Sequence, residues 1–470
     1  MKSLGDFTVQ GKHTYNERRF RISPARIIPV SFLFAILCGT LLLMLPLSSA
    51  NGEGKDLITA LFTATTSVCV TGLVVVDTFA AWSVFGKIVI LILIQLGGLG
   101  IISFTSMAMI LLKKRFSLED RQLLVDAMNF DTGNGMIRFL MRIFRWTFIV
   151  EGIGACLYLT EFIPRFGIAK GIWVSVFTAI SAFCNAGMDI IGPDSLISFQ
   201  SDPGVLIITM VLIVLGGLGY VVWFDVSDVL IEGIRKRFPV RLTLSRLSTH
   251  TKLVLVLTIS LIIAGALIIL PAEYHNPATM GNMSLGEKIL NSIFQSVTYR
   301  TAGFAAVPQD GLSPLSVMIG YLLMFIGGSP IGTAGGVKTI TMFVVMLNVV
   351  AFIRQRKEAV VFKRKVSRDL MRKATAIVSV SLSTVIFMTM LLLATNNVNI
   401  EDALFEIFSA VATVGLSRGL TPNLTDIGKV IVTVSMFLGR IGPVSLAIFF
   451  AGSKPERDNL DYAKGKFYVG

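Results

Sequence analysis

Apolar runs of membrane-spanning length recur along the whole chain, separated by shorter polar or basic connections. Two examples are IIPVSFLFAILCGTLLLMLPL from Ile27 and VLIITMVLIVLGGLGYVVWF from Val205. About twenty apolar residues suffice for a helix to cross roughly 30 Å of hydrocarbon. The pattern predicts spanning helices near 27–48, 84–112, 143–163, 204–231, 253–271, 314–353, 375–395 and 427–451. Between them lie shorter apolar segments, such as DLITALFTATTS from Asp56 and IEDALFEIFSAV from Ile400. These run for about three turns, too short to span, and suit re-entrant helices. The first run follows a basic head and lacks a small-residue cleavage site after a short core. It reads as a retained helix and not as a signal peptide.

The short segments resemble one another. They are LFTATTSVCVTGLVVVD (Leu61–Asp77), VFTAISAFCNAGMDIIG (Val176–Gly192), IFQSVTYRTAGFAAVP (Ile293–Pro308) and IFSAVATVGLSRGLTP (Ile407–Pro422). Their aligned glycines, Gly72, Gly187, Gly303 and Gly415, are 115, 116 and 112 residues apart. A second landmark follows each glycine: IQLGGLG, IVLGGLG, MFIGGSPIG and MFLGRIG begin their glycine runs at Gly97, Gly216, Gly327 and Gly439. Two landmarks at near-constant offset through four units indicate an internal repeat. The expected architecture is an all-α membrane protein of four tandem helix–re-entrant pore helix–helix repeats. It has eight transmembrane helices in a pseudo-fourfold arrangement around one pore. The expected division is a cytoplasmic head 1–26, repeat 27–112, repeat 113–231 with its preceding cytoplasmic loop, repeat 232–353, repeat 354–451 and a cytoplasmic tail 452–470.

Composition agrees with the pattern: 53% of residues are hydrophobic, 15% are charged and the mean hydropathy is +0.75. A soluble domain carries about 25% charged residues. The net charge of +13 raises the question of nucleic acid. The basic residues, however, concentrate in the head, the tail and three loops near 113–145, 232–252 and 354–373. That alternation is the positive-inside pattern. It implies cytoplasmic termini, an even number of crossings and membrane lipid, not nucleic acid, as the surrounding partner. Cys38, Cys69, Cys156 and Cys184 lie in or beside apolar segments and show neither metal-ligand spacing nor a disulfide framework. His13, His250 and His275 are scattered and read as ordinary loop residues.

Four re-entrant turns in one chain point to a pore. Non-helical backbone at membrane depth is tolerated only when buried in protein or lining a water-filled path. Re-entrant helices entering from outside aim their C-termini at the membrane centre, each with roughly half a negative charge. Four such ends favour a cation. Glycine at each turn permits backbone angles closed to other residues, so carbonyls can face the axis and replace an ion's hydration shell.

Val70-Thr71-Gly72, Asn185-Ala186-Gly187, Thr301-Ala302-Gly303 and Thr413-Val414-Gly415 are similar to degenerate copies of a potassium-channel filter fused in tandem. With SVTYRTAGF, ATVGLS, the FIGGSPIGTAGGVKT run and the LGRIGP run, this pattern resembles the Trk/Ktr/HKT superfamily, and most of all its Ktr type, over nearly the whole chain. The resemblance implies potassium as the transported ion, held at filter carbonyls, with no bound cofactor. It also implies a homodimer with one pore per protomer in the bacterial cell (plasma) membrane. A cytoplasmic regulatory subunit of the RCK type (KtrA-like) is the expected carrier of nucleotide. In such proteins Ser in place of the first glycine goes with sodium selectivity; Gly72 implies potassium.

The stretch Gly327–Gly336 holds five glycines and a proline within an apolar span that is too long for one straight helix. Continuous helix there is costly, about 1 kcal/mol per Gly and 3 for Pro. An intramembrane gate loop is expected over 327–336, with Gly327, Gly328, Ser329, Gly332, Thr333, Gly335 and Gly336 as its residues. The other three repeats have shorter glycine runs at this point, so only this one is expected to form a loop. Arg440, in FLGRIG, is a costly charge at membrane depth and is expected at the matching level as a latch; the resemblance places it below the filter. Arg300 precedes the third filter and is expected either to pair with a buried carboxylate or to sit at the outer mouth. Asp77 and Asp189 follow their glycines and read either as cation-concentrating or as solvated loop acids. Glu151 is an intramembrane acid with no partner evident in the sequence. GTAGGVKT, from Gly332, is not a phosphate-binding loop: Val337 separates Gly336 from Lys338, and no strand precedes it.

Two other classes compete. A secondary transporter, sodium-coupled or less selective among monovalent cations, also has glycine-broken spans, but its repeats are usually twofold. An intramembrane enzyme needs an acid pair, a Ser–His arrangement or a metal cluster at helical spacing, and none recurs here.

Overall fold

The computed structural model describes residues 24–111, 136–356, 358–362 and 364–442. The head as far as residue 23, the connection 112–135, residues 443–451 of the last expected span and the tail 452–470 lie outside the described residues.

The described chain is helical. In order it forms α1 (Pro24–Leu43), α2 (Leu57–Cys69), α3 (Thr78–Ala81), α4 (Val84–Leu99), α5 (Ile101–Leu111), α6 (Met136–Phe166), α7 (Ile168–Cys184), α8 (Pro203–Leu218) and α9 (Tyr220–Arg235). It continues with α10 (Val240–Ser245), α11 (Thr249–Glu273), α12 (Leu285–Thr298), α13 (Pro314–Phe325), α14 (Thr339–Ile353), α15 (Arg368–Thr395), α16 (Ile400–Val411) and α17 (Asp426–Ile441). A two-residue antiparallel pair, β1 (Val360–Val361) with β2 (Arg364–Lys365), joins α14 to α15. Three helices are individually long and apolar enough to cross a membrane: Ile137–Phe166, Thr249–Glu273 and Arg368–Thr395.

Local chemistry fixes the helix starts. Asp56, Ser83, Asp202, Ser248, Ser313, Ser367 and Thr425 each accept a hydrogen bond from a first-turn amide. Ser284 and Glu287 close a capping box on α12. The outward faces are apolar: Phe34, Leu41, Leu267 and Phe352 are 68%, 67%, 67% and 84% exposed. Apolar surface on this scale suits lipid and not water.

The short helices α2, α7, α12 and α16 form the centre. Each packs against the long helix before it; α2, α7 and α16 also pack against α4, α8 and α17, and α12 packs on α8. The second-landmark glycines make the close approach possible. A Cβ on Gly97, Gly216 or Gly439 would overlap the carbonyl oxygen of Val68, Phe183 or Val411, at the C-terminal ends of α2, α7 and α16. In the third unit Gly327 lies instead against Gly335, because there the chain leaves the helix.

The second helices of the other three units are interrupted as well. Each breaks three residues after its landmark glycine, at Gly100 (φ 84, ψ 129), Gly219 (φ 85, ψ 141) and Gly442 (φ 85, ψ 146). That backbone region is open in practice to glycine alone. At Gly219 the bend between α8 and α9 reaches 98°. At Gly100 and Gly219 the interruption is a single residue with helix on both sides, whereas Gly442, which caps α17, is the last described residue. Only between α13 and α14 does a longer non-helical stretch intervene among the described residues.

Replacing Gly97 by Ala therefore should lower thermal stability, by about 1–3 kcal/mol of overpacking. Gly152 on α6 has nothing within 4 Å of its missing Cβ, and Gly152→Ala should leave the melting temperature unchanged or slightly raised. Equal melting of the two variants would refute the packing role of the landmark glycines.

Candidate functional site: a ring of turns above a pinned loop

Each central helix ends in the same way. Val70, Asn185, Thr301 and Thr413 adopt φ of 56°, 60°, 70° and 52°, a left-handed conformation unusual for β-branched residues. The next amide folds back onto its helix: Thr71, Ala186, Ala302 and Val414 donate to Thr66, Ser181, Thr298 and Ser409 carbonyls at 2.9, 2.8, 3.0 and 2.8 Å. Gly72, Gly187, Gly303 and Gly415 follow, all at positive φ. Gly72 and Gly415 donate to the Thr66 and Ser409 hydroxyls at 2.9 and 3.0 Å.

The four turns meet in a closed ring. A Cβ built on Gly72 would lie 2.5 Å from the Ala186 carbonyl oxygen; on Gly187, 2.6 Å from that of Ala302; on Gly303, 2.5 Å from that of Val414. On Gly415 it would overlap that of Thr71. The order is cyclic, each glycine facing the carbonyl of the next unit. All twelve residues singled out at these turns are buried. The Thr71 and Thr413 hydroxyl oxygens are buried with no hydrogen-bond partner among the described residues.

Under the ring lies the loop between α13 and α14. Ile326 and Val337 pair as a parallel bridge, with Gly327 N–H donating to Val337 O at 3.0 Å. The missing Cβ of Gly335 points into the Thr413 side chain. The rest of the loop docks on the broken helix of the second unit. Ser329 and Thr333 amides donate to the Gly217 and Gly216 carbonyls at 2.9 and 3.2 Å, and Tyr220 N–H donates to Ile331 O at 2.9 Å. The break at Gly219 frees those groups, and the loop satisfies them. Thr333 Oγ1 also donates to Phe183 O, at the end of α7, at 3.0 Å.

Three cations hold the loop, all through backbone carbonyls. Arg440 donates from Nη1 to Thr333 O at 2.8 Å and from Nη2 to Gly97 O at 2.5 Å. Lys338 Nζ donates to Ala334 O at 2.5 Å, and Arg300 Nη2 to Gly327 O at 3.2 Å. None forms an ion pair among the described residues. Thr333 is thus touched by the second and fourth units, and Arg440 ties it to the first.

This architecture has known counterparts. The TrkH family of cation transport proteins matches residues 10–462. The chain is 38% identical to Ktr system potassium uptake protein B of Bacillus subtilis, over 96% of this chain and 97% of that protein. It is 36% identical to potassium/sodium uptake protein NtpJ of Enterococcus hirae, over 94% and 96%. The crystal structure of the potassium transporter TrkH from Vibrio parahaemolyticus superposes with a TM-score of 0.72 at 15% identity, covering 94% of this chain and 86% of that one. The chain belongs to the TrkH family of cation transport proteins. It is a membrane transporter and not an enzyme.

Within this TrkH-family chain the remaining candidates fall out unevenly. Arg300 is buried beside the loop, not at an outer mouth, and meets a carbonyl where a carboxylate was expected; its Nε has no partner among the described residues. Glu151 has a partner after all: Gln95 Nε2 donates to both of its carboxylate oxygens at 3.1 Å. Asp189 is buried and accepts from Ile191 N–H at 3.2 Å, so it is not a solvated loop acid. Asp77 caps α3 by accepting from Phe79 N–H at 2.9 Å. Sequence reasoning missed Lys338 and Gly219. The signal for Gly219 was its recurrence with Gly100 and Gly442 at one offset from the landmark glycines.

A Cβ at Gly219 would collide with the Pro330 carbonyl oxygen. Gly219→Ala should therefore undock the loop and speed amide hydrogen exchange at Ser329 and Thr333 by at least tenfold, the scale of one lost hydrogen bond of about 1.4 kcal/mol. Gly192→Ala, with open space around its Cβ, should leave that exchange unchanged. Equal protection in both variants would show that the hinge does not hold the loop.

Proposed function

We propose that this chain is the ion-translocating subunit of a Ktr-type potassium uptake system in the bacterial cell membrane. The closed ring of Thr71, Ala186, Ala302 and Val414 carbonyls against four glycines carries the reading. Converging C-terminal helix ends favour a cation there, and backbone oxygens can replace its hydration shell. Val70, Asn185, Thr301 and Thr413 form the inner edge of this filter, where the unpartnered Thr413 hydroxyl is free to meet a passing ion. The names of the Bacillus and Enterococcus relatives support potassium as the cargo. Eight transmembrane helices in four repeats surround one pore, with both termini cytoplasmic, as the charge pattern favours.

The loop Gly327–Gly336 is the gate. Its docking on the second unit closes the path beneath the filter, and Arg440 and Lys338 add positive charge beside it. A unit charge opposes another at 4 Å by about 4 kcal/mol at an effective dielectric near 20, so the closed loop resists a cation by charge as well as by bulk. Opening displaces the loop with its carbonyls and cations. The trigger is a cytoplasmic nucleotide-binding subunit of the RCK type acting on a homodimer. The relative's name, protein B of a Ktr system, supports a multi-component system. Coupling to sodium is a second reading, favoured by the potassium/sodium relative.

Growth of an uptake-deficient host on limiting potassium, with and without sodium, tests the cargo and the sodium requirement. Substituting Ser for Gly72, Gly187, Gly303 or Gly415 should lower discrimination of potassium over sodium in competition assays, because each side chain would enter the ring. Unchanged competition in all four variants would remove the filter. Deleting Ser329–Ala334 should raise basal uptake and blunt regulation; low flux with intact regulation would move the gate elsewhere.

A further inference from the structure

The four units differ behind the ring, and the fourth carries a device the others lack. Glu406 sits on α16 and is fully buried. One of its carboxylate oxygens accepts from Ser417 Oγ at 2.8 Å, and the other accepts from Thr421 Oγ1. Ser417 and Thr421 belong to the strand leaving Gly415, two and six residues beyond it. Ser417 Oγ in turn accepts from Leu420 N–H at 3.2 Å, which curls that strand around the carboxylate. Arg418, between them, pairs with Glu401 at 2.5 Å and Asp402 at 3.2 Å, at the start of the same helix. The outgoing strand is therefore fastened to α16 at three successive points.

The other units brace their strands more weakly. In the third, Gln295 on α12 pairs with Gln309, six residues beyond Gly303, through neutral amides at 2.7 Å. Helices α2 and α7 contain no acid and no amide side chain, so neither reaches the strand after its own glycine with a carboxyl or amide; Asp189, after Gly187, bonds within its own strand. A buried carboxylate is costly to keep. Both carboxyl oxygens here are taken up by one strand, so a single buried side chain holds it at two points.

We propose that Glu406 is a positioning residue for ion discrimination: its two-hydroxyl clamp fixes the strand that carries Gly415 and so sets where the Val414 carbonyl stands in the ring. Selectivity depends on the number and geometry of such oxygens. With the fourth strand held rigidly, the three less firmly fastened strands adjust to the ion against it. The inference rests on the ring being the filter.

The test is inhibition of rubidium uptake by potassium and by sodium, measured on the full chain in proteoliposomes, with melting temperature recorded in potassium and in sodium. Glu406→Ala should lower the potassium-to-sodium preference by about tenfold, the scale of losing one hydrogen bond of about 1.4 kcal/mol. Glu406→Gln, which keeps one acceptor oxygen, should lower it less. The pair Ser417→Ala with Thr421→Val removes the donors and leaves the carboxylate, so it decides the matter if Glu406→Ala fails to fold. Glu53→Gln, in an exposed loop, should change nothing. A merely structural Glu406 would lower melting equally in both ions and leave the preference intact, and that result would overturn the clamp. Gly415→Ser in the same assay separates the two readings: if it shifts the preference and the Glu406 and Ser417/Thr421 variants do not, the clamp fails and the filter stands. If Gly415→Ser also has no effect, the filter fails and the clamp with it.

Discussion

No Cβ fits where the four turns meet, and much of the molecule is arranged around that crowding. The turns approach until each glycine lies against the next unit's carbonyl oxygen. Side chains are excluded, so the surface presented at the centre is backbone. Holding four helix ends so close requires the helices behind them to come close as well. The landmark glycines provide this by letting α4, α8 and α17 ride directly on the carbonyls of Val68, Phe183 and Val411. The strain of left-handed Val70, Thr301 and Thr413, of order 1–3 kcal/mol each, is sustained by the amide bonds that fold each turn back onto its helix.

The same economy of backbone governs the loop beneath. Breaking a helix inside an apolar interior leaves amides and carbonyls unpaired, which is costly without water. Two breaks in different units resolve each other: the carbonyls freed near Gly219 take the amides freed between α13 and α14. Neither break is stable alone, so the second and third units are mechanically linked by backbone groups. The loop thus holds both sides of the break: Gly216 O and Gly217 O at the end of α8, and Tyr220 N–H at the start of α9.

Legibility in the sequence followed the kind of interaction. Gly72, Gly187, Gly303 and Gly415 stood out because backbone crowding demands glycine whatever surrounds it, and the demand recurs at one spacing. The interruption over Gly327–Gly336 stood out because five glycines and a proline defeat helix propensity locally. The breaks at Gly100, Gly219 and Gly442 did not, since a lone glycine in an apolar helix is tolerated and only the tertiary partner decides its conformation. Glu151 looked partnerless because Gln95 lies on another helix in another unit, beyond any periodicity. Arg300 was matched with the wrong chemistry: a buried guanidinium looks for a carboxylate by habit of charge, but carbonyls of an interrupted helix are acceptors too. Lys338 carries no periodic signal of its own; its partner, the Ala334 carbonyl, is free to accept only because the chain leaves the helix there.

The placement of charge separates the two halves of the site. Behind the ring, Glu406 and Asp189 are buried acids whose hydrogen bonds come from hydroxyls and amides. At the loop, Arg300, Lys338 and Arg440 are cations satisfied by carbonyls. Neither set neutralises the other by direct pairing among the described residues. Had Arg440 paired with a carboxylate, its field would largely cancel and its grip would be local to that acid. Bound to carbonyls, it keeps its charge and ties two stretches of backbone together. One guanidinium therefore joins the loop at Thr333 to α4 at Gly97, while the acids behind the ring are held by hydroxyls and amides of their own units.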